Sequence, residues 1–414
     1  MKTEKNKFNN YFDEIFKTSN KYLNKILTNK EYNNLLTQLS KEKVSSIEDH
    51  EGIFNDRYQQ LIKSKYQSEY KLSDKKFNAF LKRKSTNTKV VWGDCLDALK
   101  LMDSESIQLM VTSPPYYNAR DYSQWDSLDL YLEDMRKIIR ESYRVLDNHR
   151  VWVFNVGDIF HNPNTKTKSV WGKTRIPLGA YFTKIFEEEG FVFVDDFIWD
   201  KGEVQSQRNK NDSKPYPMYQ YPINSYEHIL IFHKHRLDLT KYPCPRCGTL
   251  NVNGNTQSEP GLQSWECKNN KCTERSKSNR GKRFSLKTNL TQSKNRENKP
   301  NQIDKTLINK WRKDIVKFSP VIKINSKGEN TLGHTAPFPD DIPEMAVKMF
   351  TYAGEKVLDP FAGSFTAPKV AAQYGRIGIG IELNKKMFEK AIKTKLDKES
   401  KDVFNKIRYE EWDL

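Results

Sequence analysis

Residues 107–116 read IQLMVTSPPY. Within this stretch Ser113, Pro114, Pro115 and Tyr116 bring together a hydroxyl, proline carbonyls with no competing N–H, and an aromatic ring. That set suits work on the exocyclic amine of a nucleobase. Such an amine is a poor nucleophile, because its lone pair is delocalised into the ring. Hydroxyl and carbonyl acceptors can hydrogen-bond the NH2 and orient it, and a tyrosine face can stack on a base swung out of its helix. Taken alone, the same residues also read as a plain Pro-Pro turn carrying an exposed tyrosine.

A second stretch with chemical content is VLDPFAGSFTAPKVA, residues 357–371. Asp359 closes an apolar run, a turn holding Gly363 follows, and a helix comes next. Glycine lets backbone approach a ligand closely. Glu382 lies nineteen residues beyond Gly363, at the end of the next apolar run. An acid at that spacing after a glycine turn is placed to hold ribose hydroxyls. No G-x-G-x-x-G is present, so a dinucleotide pyrophosphate is not indicated.

The third signal is cysteine. Four of the five cysteines form Cys244-x2-Cys247, then nineteen residues, then Cys267-x4-Cys272. Paired cysteines in a basic stretch, the first pair set in CPRCG, match a four-thiolate structural zinc site. Free thiols are the alternative, and disulfides are disfavoured in a reducing compartment. Four thiolates leave zinc no open position, so such a site would fold a small module rather than do chemistry. Cys95, alone beside Asp94, reads as a packing residue.

The elements that must position these groups follow from hydropathy. Two consecutive prolines cannot continue a central strand, since neither donates a ladder hydrogen bond. The chain therefore leaves the sheet at the strand's carboxyl end, where ligands bind in open α/β sheets. Apolar runs at 90–92, 107–113, 151–157, 191–199, 226–234, 356–361 and 376–383 alternate with helical spacing at 128–145, 176–189, 341–353, 366–374 and 384–398. The expectation is an α/β fold with a seven-stranded, mostly parallel sheet and helices on both faces. Before it, Phe8, Phe12, Ile15, Phe16, Tyr22, Leu23, Ile26 and Leu27 recur at helical spacing, which predicts a helical N-terminal extension over 1–88.

The charge is uneven. Of the net +17, residues 201–330 hold 26 basic against 11 acidic side chains, while residues 89–200 hold 13 against 18. Residues 271–300 alone carry ten Lys and Arg against two acids. A neutral-to-acidic body with one basic insert fits an enzyme core with a polyanion-binding attachment; a solvated lysine-rich surface is the bland alternative. No apolar run approaches the ~20 residues of a membrane span, and the N-terminus lacks a signal-peptide core, so a cytoplasmic protein without membrane contact is expected.

Taken in order, T-S-P-P-Y, L-D-P-F-A-G-S and G-I-G-I-E-L resemble the permuted β group of the S-adenosylmethionine-dependent DNA amino-methyltransferases. The resemblance covers residues 89–235 and 331–398. It implies a Rossmann-like methyltransferase sheet split into a catalytic part (89–235) and a cofactor-binding part (331–414), with a target-recognition region (236–330) between them. It also implies roles. Ser113, Pro114 (through its carbonyl), Pro115 and Tyr116 would hold and activate the target amine. Asp359, Phe361, Gly363 and Ser364 would line the methionine end of S-adenosylmethionine, Glu382 its ribose and Asp94 its adenine. HTAPFP, residues 334–339, would pack over the methionine part. Serine at 113 resembles the N4-cytosine branch more than the N6-adenine branch. The implied partner is double-stranded DNA, with a cognate restriction endonuclease as functional companion and a monomer or weak dimer as the assembly. One departure stands out: the family's G-S-G-T-T reads Gly363-Ser364-Phe365-Thr366-Ala367. Phenylalanine tolerates neither positive φ nor close backbone approach readily, so a degenerate donor pocket on a non-catalytic DNA-binding protein is the rival this residue raises.

Overall fold

The computed structural model describes residues 28–39, 41, 57, 61, 72–118, 124–160, 175–202, 216–217, 225–234, 249, 251–258, 262–272, 283–284, 299–320, 339–396 and 407–414. The helical spacing read over residues 8–27 lies outside them. The chain divides into two compact units, one of residues 1–71 with 236–297, the other of residues 72–235 with 298–414.

In the first unit, α1 (Asn29–Leu39) is an amphipathic helix with Tyr32 and Leu35 buried. A separate antiparallel sheet is built from three strands that lie between the two halves of the main sheet in the sequence, and it is described with the candidate site.

The second unit opens with α2 (Lys75–Lys82), capped by Asp74, whose carboxylate accepts from the Phe77 N–H at 2.7 Å. There follow β1 (Thr88–Trp92), α3 (Cys95–Leu101), β2 (Ile107–Thr112), α4 (Leu128–Val145), β3 (Leu146–Val156), β4 (Ile159–Phe160), β5 (Arg175–Ile176), α5 (Leu178–Glu188), β6 (Phe191–Asp200) and β7 (Tyr226–Lys234). After the strands of the small sheet, β8 (Val252–Ser258), β9 (Leu262–Cys267) and β10 (Arg283–Phe284), the unit resumes with α6 (Lys305–Trp311), β11 (Ile315–Lys317), α7 (Asp341–Phe350), β12 (Lys356–Asp359), α8 (Thr366–Gln373), β13 (Ile377–Glu382), α9 (Lys385–Ala391) and β14 (Tyr409–Asp413).

The main sheet runs β11-β6-β7-β3-β2-β12-β13-β1-β14. Every neighbouring pair is parallel except the two made by β7, which runs antiparallel between β6 and β3. The sheet has nine strands, not the seven counted from hydropathy. The two additions are edge strands. β11 is three residues long and pairs with β6, and β14 reads YEEWD and pairs with β1. An edge strand buries little and needs no long apolar run, so hydropathy does not mark it. β11 also falls inside 236–330, the stretch read as a basic insert.

Central strands are buried on both faces, which is why they read as continuous apolar runs. In β2, Met110 joins the layer under α4 and α5 while Leu109 and Val111 join the layer under α6, α7 and α8. β3 divides likewise, Trp152 and Phe154 to the first layer and Val153 to the second. Phe186 of α5 stacks on Phe232 of β7 with ring centroids 3.8 Å apart, and Trp152, Phe154, Phe182 and Phe191 close around them. Each such ring contributes roughly 1.5–3 kcal/mol of burial, enough to hold the antiparallel strand in place against its parallel neighbours.

Candidate active site

The sheet order reverses between β2 and β12. Strands following β2 in the sheet extend towards β6, and those following β12 extend towards β1. A crevice at the carboxyl ends is the expected result at such a switch point. Pairing of Leu109 with Val357 and Met110 with Leu358 brings the two strand ends level. Beyond the pairing, the Thr112 hydroxyl donates to Asp359 Oδ1 at 2.5 Å, in a fully buried contact. The two sequence motifs, 247 residues apart, are thereby joined side by side.

Asp359 Oδ1 also accepts the Phe361 N–H at 3.0 Å. Its Oδ2 is buried, and among the described residues nothing donates to it. Burial pushes the Asp359 carboxyl up to about 7, against the pull of Thr112 and the Phe361 N–H. A buried acceptor left open at a strand end is a place for a cation or an N–H from a ligand. Glu382 ends the next strand. Its Oε2 accepts the Gly363 N–H at 2.9 Å and its Oε1 the Asn384 N–H at 2.7 Å. Burial raises this carboxyl, while the two N–H groups oppose the shift. Each oxygen keeps a second lone pair, the pattern a vicinal diol needs. Asp94 is exposed and caps α3, with Oδ1 accepting from Leu96 and Asp97 N–H at 2.8 and 3.2 Å. Ser364 Oγ lies 3.2 Å from Thr366 Oγ1 at the start of α8. The described part of the HTAPFP segment is Pro339 alone.

Phe365 takes the left-handed conformation, φ 58° and ψ 34°, where the related motif has glycine. That backbone costs roughly 1–2 kcal/mol for a residue with a Cβ. The ring is fully buried, against Phe388 at 5.7 Å and over Gly380, where an added Cβ would lie 2.5 Å from Phe365 Cδ1. Burying a phenyl ring offsets the strain, and Gly380 supplies the space for it. Phe365 thus fills the core with Val90, Ala362 and Phe388. The expectation that phenylalanine would avoid positive φ here is corrected by this packing.

On the other side of the crevice, the Tyr131 hydroxyl of α4 donates to the Pro115 carbonyl at 2.9 Å. Among the described residues no hydrogen bond to the Pro114 carbonyl is formed. The Tyr116 hydroxyl accepts the Gly157 N–H at 2.9 Å and donates to Glu227 Oε2 at 3.1 Å. Burial and the Glu227 charge hold this phenol well above the usual tyrosine range. Glu227 pairs through Oε1 with Lys201. Beside it His228 Nδ1 lies 2.8 Å from Asp196 Oδ2, which raises the imidazole's affinity for a proton.

Thr112, Gly157, Lys201 and Glu227 carry no role in the sequence reading. Thr112 and Gly157 sit at strand ends and could be suspected on that ground. Glu227 could not, because only an antiparallel β7 brings the first residues of that strand to the carboxyl-end rim.

In the small sheet β8, β9 and β10 pair antiparallel. Cys267 ends β9 and Cys272 follows across one turn, its N–H donating to the Asn269 carbonyl at 3.1 Å; both cysteines are buried. Cys244 and Cys247 lie outside the described residues. Among the described residues no three metal-ligating side chains come together. Nor is any helix among them long and apolar enough to cross a membrane. Cys95 is buried in the core, in keeping with its reading as a packing residue.

A mostly parallel sheet with one antiparallel strand set in from the edge, and acidic and Pro-Pro loops meeting at its switch point, defines an α/β fold of the methyltransferase type. The fold is shared with a DNA modification methylase candidate from Thermus thermophilus, solved in complex with S-adenosyl-L-methionine, at TM-score 0.50 and 20% identity over 79% of this chain and all of the other. The family model N6_N4_Mtase, described as DNA methylase, matches residues 107–393. The chain belongs to that family. It is 41% identical to the type II beta methyltransferase M.BslI of Bacillus sp. (strain NEB-606) over 297 residues, which is 72% of this chain and 26% of M.BslI. The matched stretch thus spans about a quarter of that relative's length. It is 24% identical over 331 residues to the type II methyltransferase M.Cfr9I of Citrobacter freundii, covering 72% of this chain and 85% of the relative.

Proposed function

We propose that this chain transfers a methyl group from S-adenosylmethionine to the exocyclic N4 of cytosine in double-stranded DNA, as the modification partner of a restriction endonuclease. The Thr112–Asp359 hydrogen bond carries the reading, since it sets the amine-orienting loop and the acidic donor loop on one crevice. Membership of the DNA methylase family and likeness to type II methyltransferases support the substrate and the companion nuclease.

The residues present suit the donor. Asp359 Oδ2 is an unmet buried acceptor for the methionine ammonium, Glu382 offers two oxygens to the ribose hydroxyls, and Asp94 keeps Oδ2 for the adenine amine. When bound, S-adenosylmethionine supplies a methyl on a positively charged sulfur, open to direct displacement. Ser113 and the Pro114 carbonyl accept from the target NH2 and turn its lone pair towards that methyl. Tyr116 offers its ring to the flipped base. Alignment supplies most of the acceleration. No covalent intermediate with the base is needed.

Mass spectrometry of nucleosides, after incubation of the protein with donor and unmethylated DNA, should reveal N4-methylcytosine. N6-methyladenine in its place would move the substrate to adenine, and RNA or protein as the sole acceptor would sink the DNA reading. Ser113 supports the cytosine assignment.

DNA recognition falls, in this reading, to the basic region 236–330, whose arginines and lysines neutralise phosphates while selected side chains read base edges. A structural zinc on Cys244, Cys247, Cys267 and Cys272 would fold its knuckle. Two buried thiols across one turn are what half of such a site requires. Purified protein should carry about one zinc per chain, and its removal by chelator should weaken DNA binding without loss of donor binding. Metal analysis showing none would defeat the zinc site. Action in the cytoplasm, as a monomer or weak dimer, completes the reading.

A further inference from the structure

Building on the methyl-transfer reading, we infer that Thr112, the first residue of T-S-P-P-Y, is a positioning residue for the methyl donor: its hydroxyl fixes the Asp359 carboxylate so that Oδ2 meets the donor's ammonium. Thr112 closes β2, the strand that carries the amine-orienting loop, yet its side chain bonds across to the acid of the donor loop, at 2.5 Å. Neither residue is more than 1% exposed. A hydrogen bond in that setting does not compete with water, so it holds one geometry.

The direction of the bonds carries the argument. Two donors reach Asp359, the Thr112 hydroxyl and the Phe361 N–H, and both take Oδ1. Oδ2 is buried too and has no donor among the described residues. The last torsion of an aspartate is broad and roughly two-fold, so a carboxylate without a pin exchanges its oxygens readily. Thr112 supplies the pin from a stiff platform. A β-branched side chain has few χ1 choices. Its strand is paired on both sides, Met110 with Leu358 of β12, and Thr112 itself with Phe154 of β3.

The same bond bears on charge. The partners that favour the ionised carboxylate, from β2 and from the acid's own loop, are uncharged hydrogen-bond donors. Glu382, at the end of β13, is the charged group acting on it, and it opposes ionisation. Burial already lifts the Asp359 carboxyl to about 7. An ammonium is held by the carboxylate and not by the neutral acid. Removing the Thr112 hydroxyl destabilises the ionised form, so ionisation moves to higher pH. The resulting loss of donor affinity is therefore large near neutral pH and small in alkali.

The test is calorimetric titration of the full chain with S-adenosylmethionine, without DNA, at pH 6.5, 7.5 and 9. Thr112→Val keeps the shape and removes the hydroxyl. Loss of a hydrogen bond to a charged group should move the ionisation by about one pH unit or more. Affinity should then fall about three- to tenfold at the two lower pH values and lie within about twofold of the wild type at the highest. Thr112→Ser restores the hydroxyl and should stay within about threefold of the wild type throughout. A second readout needs no donor. The fall in melting temperature of the free protein with rising pH should extend about one unit further in Thr112→Val, because its folded-state value is higher. DNA affinity should be unchanged within about twofold, since phosphate contacts dominate it. A Thr112→Val chain that binds the donor like the wild type at pH 6.5, a loss of equal size at every pH, or a Thr112→Ser chain no better than Thr112→Val would overturn the inference. If Thr112→Val does not fold, Thr112→Ala takes its place with the same expected values. A wild type that binds no S-adenosylmethionine at any pH would instead sink the methyl-transfer reading on which this rests.

Discussion

Tyr116→Ala should reduce methyl transfer by at least about a hundredfold, and DNA binding should largely survive. Two losses combine. The ring proposed to hold the flipped base disappears, and stacking of this kind contributes roughly 1–3 kcal/mol per base. The phenol that joins Gly157 and Glu227 goes with it. Glu227 then keeps Lys201 but loses the phenol proton. Ser113→Ala should lose transfer as well, because it removes a direct contact to the amine, yet it leaves the Tyr116–Glu227 bond in place. DNA affinity should change little in either variant, since phosphate contacts dominate it. Filter binding and tritium transfer on the same preparations check the pair. Retained turnover in both variants would defeat the assignment of this loop to the chemistry.

The second large effect concerns Asp359 and pH. With no donor bound, burial holds this carboxyl at about 7, above its usual 3.8. The sign follows from linkage. A folded-state value above the unfolded one means that the protonated form is favoured by folding. Stability from this group is therefore complete below about pH 4 and is lost as pH rises through about 7. The full difference is roughly 4 kcal/mol. The unliganded protein should thus melt at lower temperature as pH rises from 5 to 8, and Asp359→Asn should flatten that slope. Donor binding should show the opposite dependence. The proposed ammonium contact needs the ionised carboxylate, so affinity for S-adenosylmethionine should weaken as pH falls below about 7, by up to about tenfold per pH unit. Asp359→Asn should bind weakly at every pH. Calorimetric titrations at pH 5.5, 6.5 and 7.5 would read this, and an affinity independent of pH would remove Asp359 from the donor site.

Both predictions draw on features that differ in how far the sequence betrays them. Asp359 and Glu382 are legible because a strand end, a glycine turn and the next strand end are local in sequence, and their spacing is imposed by one β–α–β unit. The Pro-Pro pair is legible for a similar reason, since two missing N–H groups force the chain out of a sheet wherever they occur. Phe365 misleads at this level. Its identity argues against positive φ, and the residue that reconciles it with the fold is Gly380, fifteen positions on and across a helix.

The amino-acid sequence by itself determined the alternation of strands and helices, the acids and prolines that end three of the strands, and the basic, cysteine-bearing stretch between them. These are properties of hydropathy period, backbone chemistry and charge, and each is written within a few tens of residues. Tertiary structure alone decided that Thr112 touches Asp359, that β11 and β14 extend the sheet to nine strands, and that Glu227 and Lys201 stand behind Tyr116. For Glu227 the reason is the reversal of β7. Whether a strand runs up or down depends on which neighbours it buries its two faces against, and those neighbours lie far away in the chain.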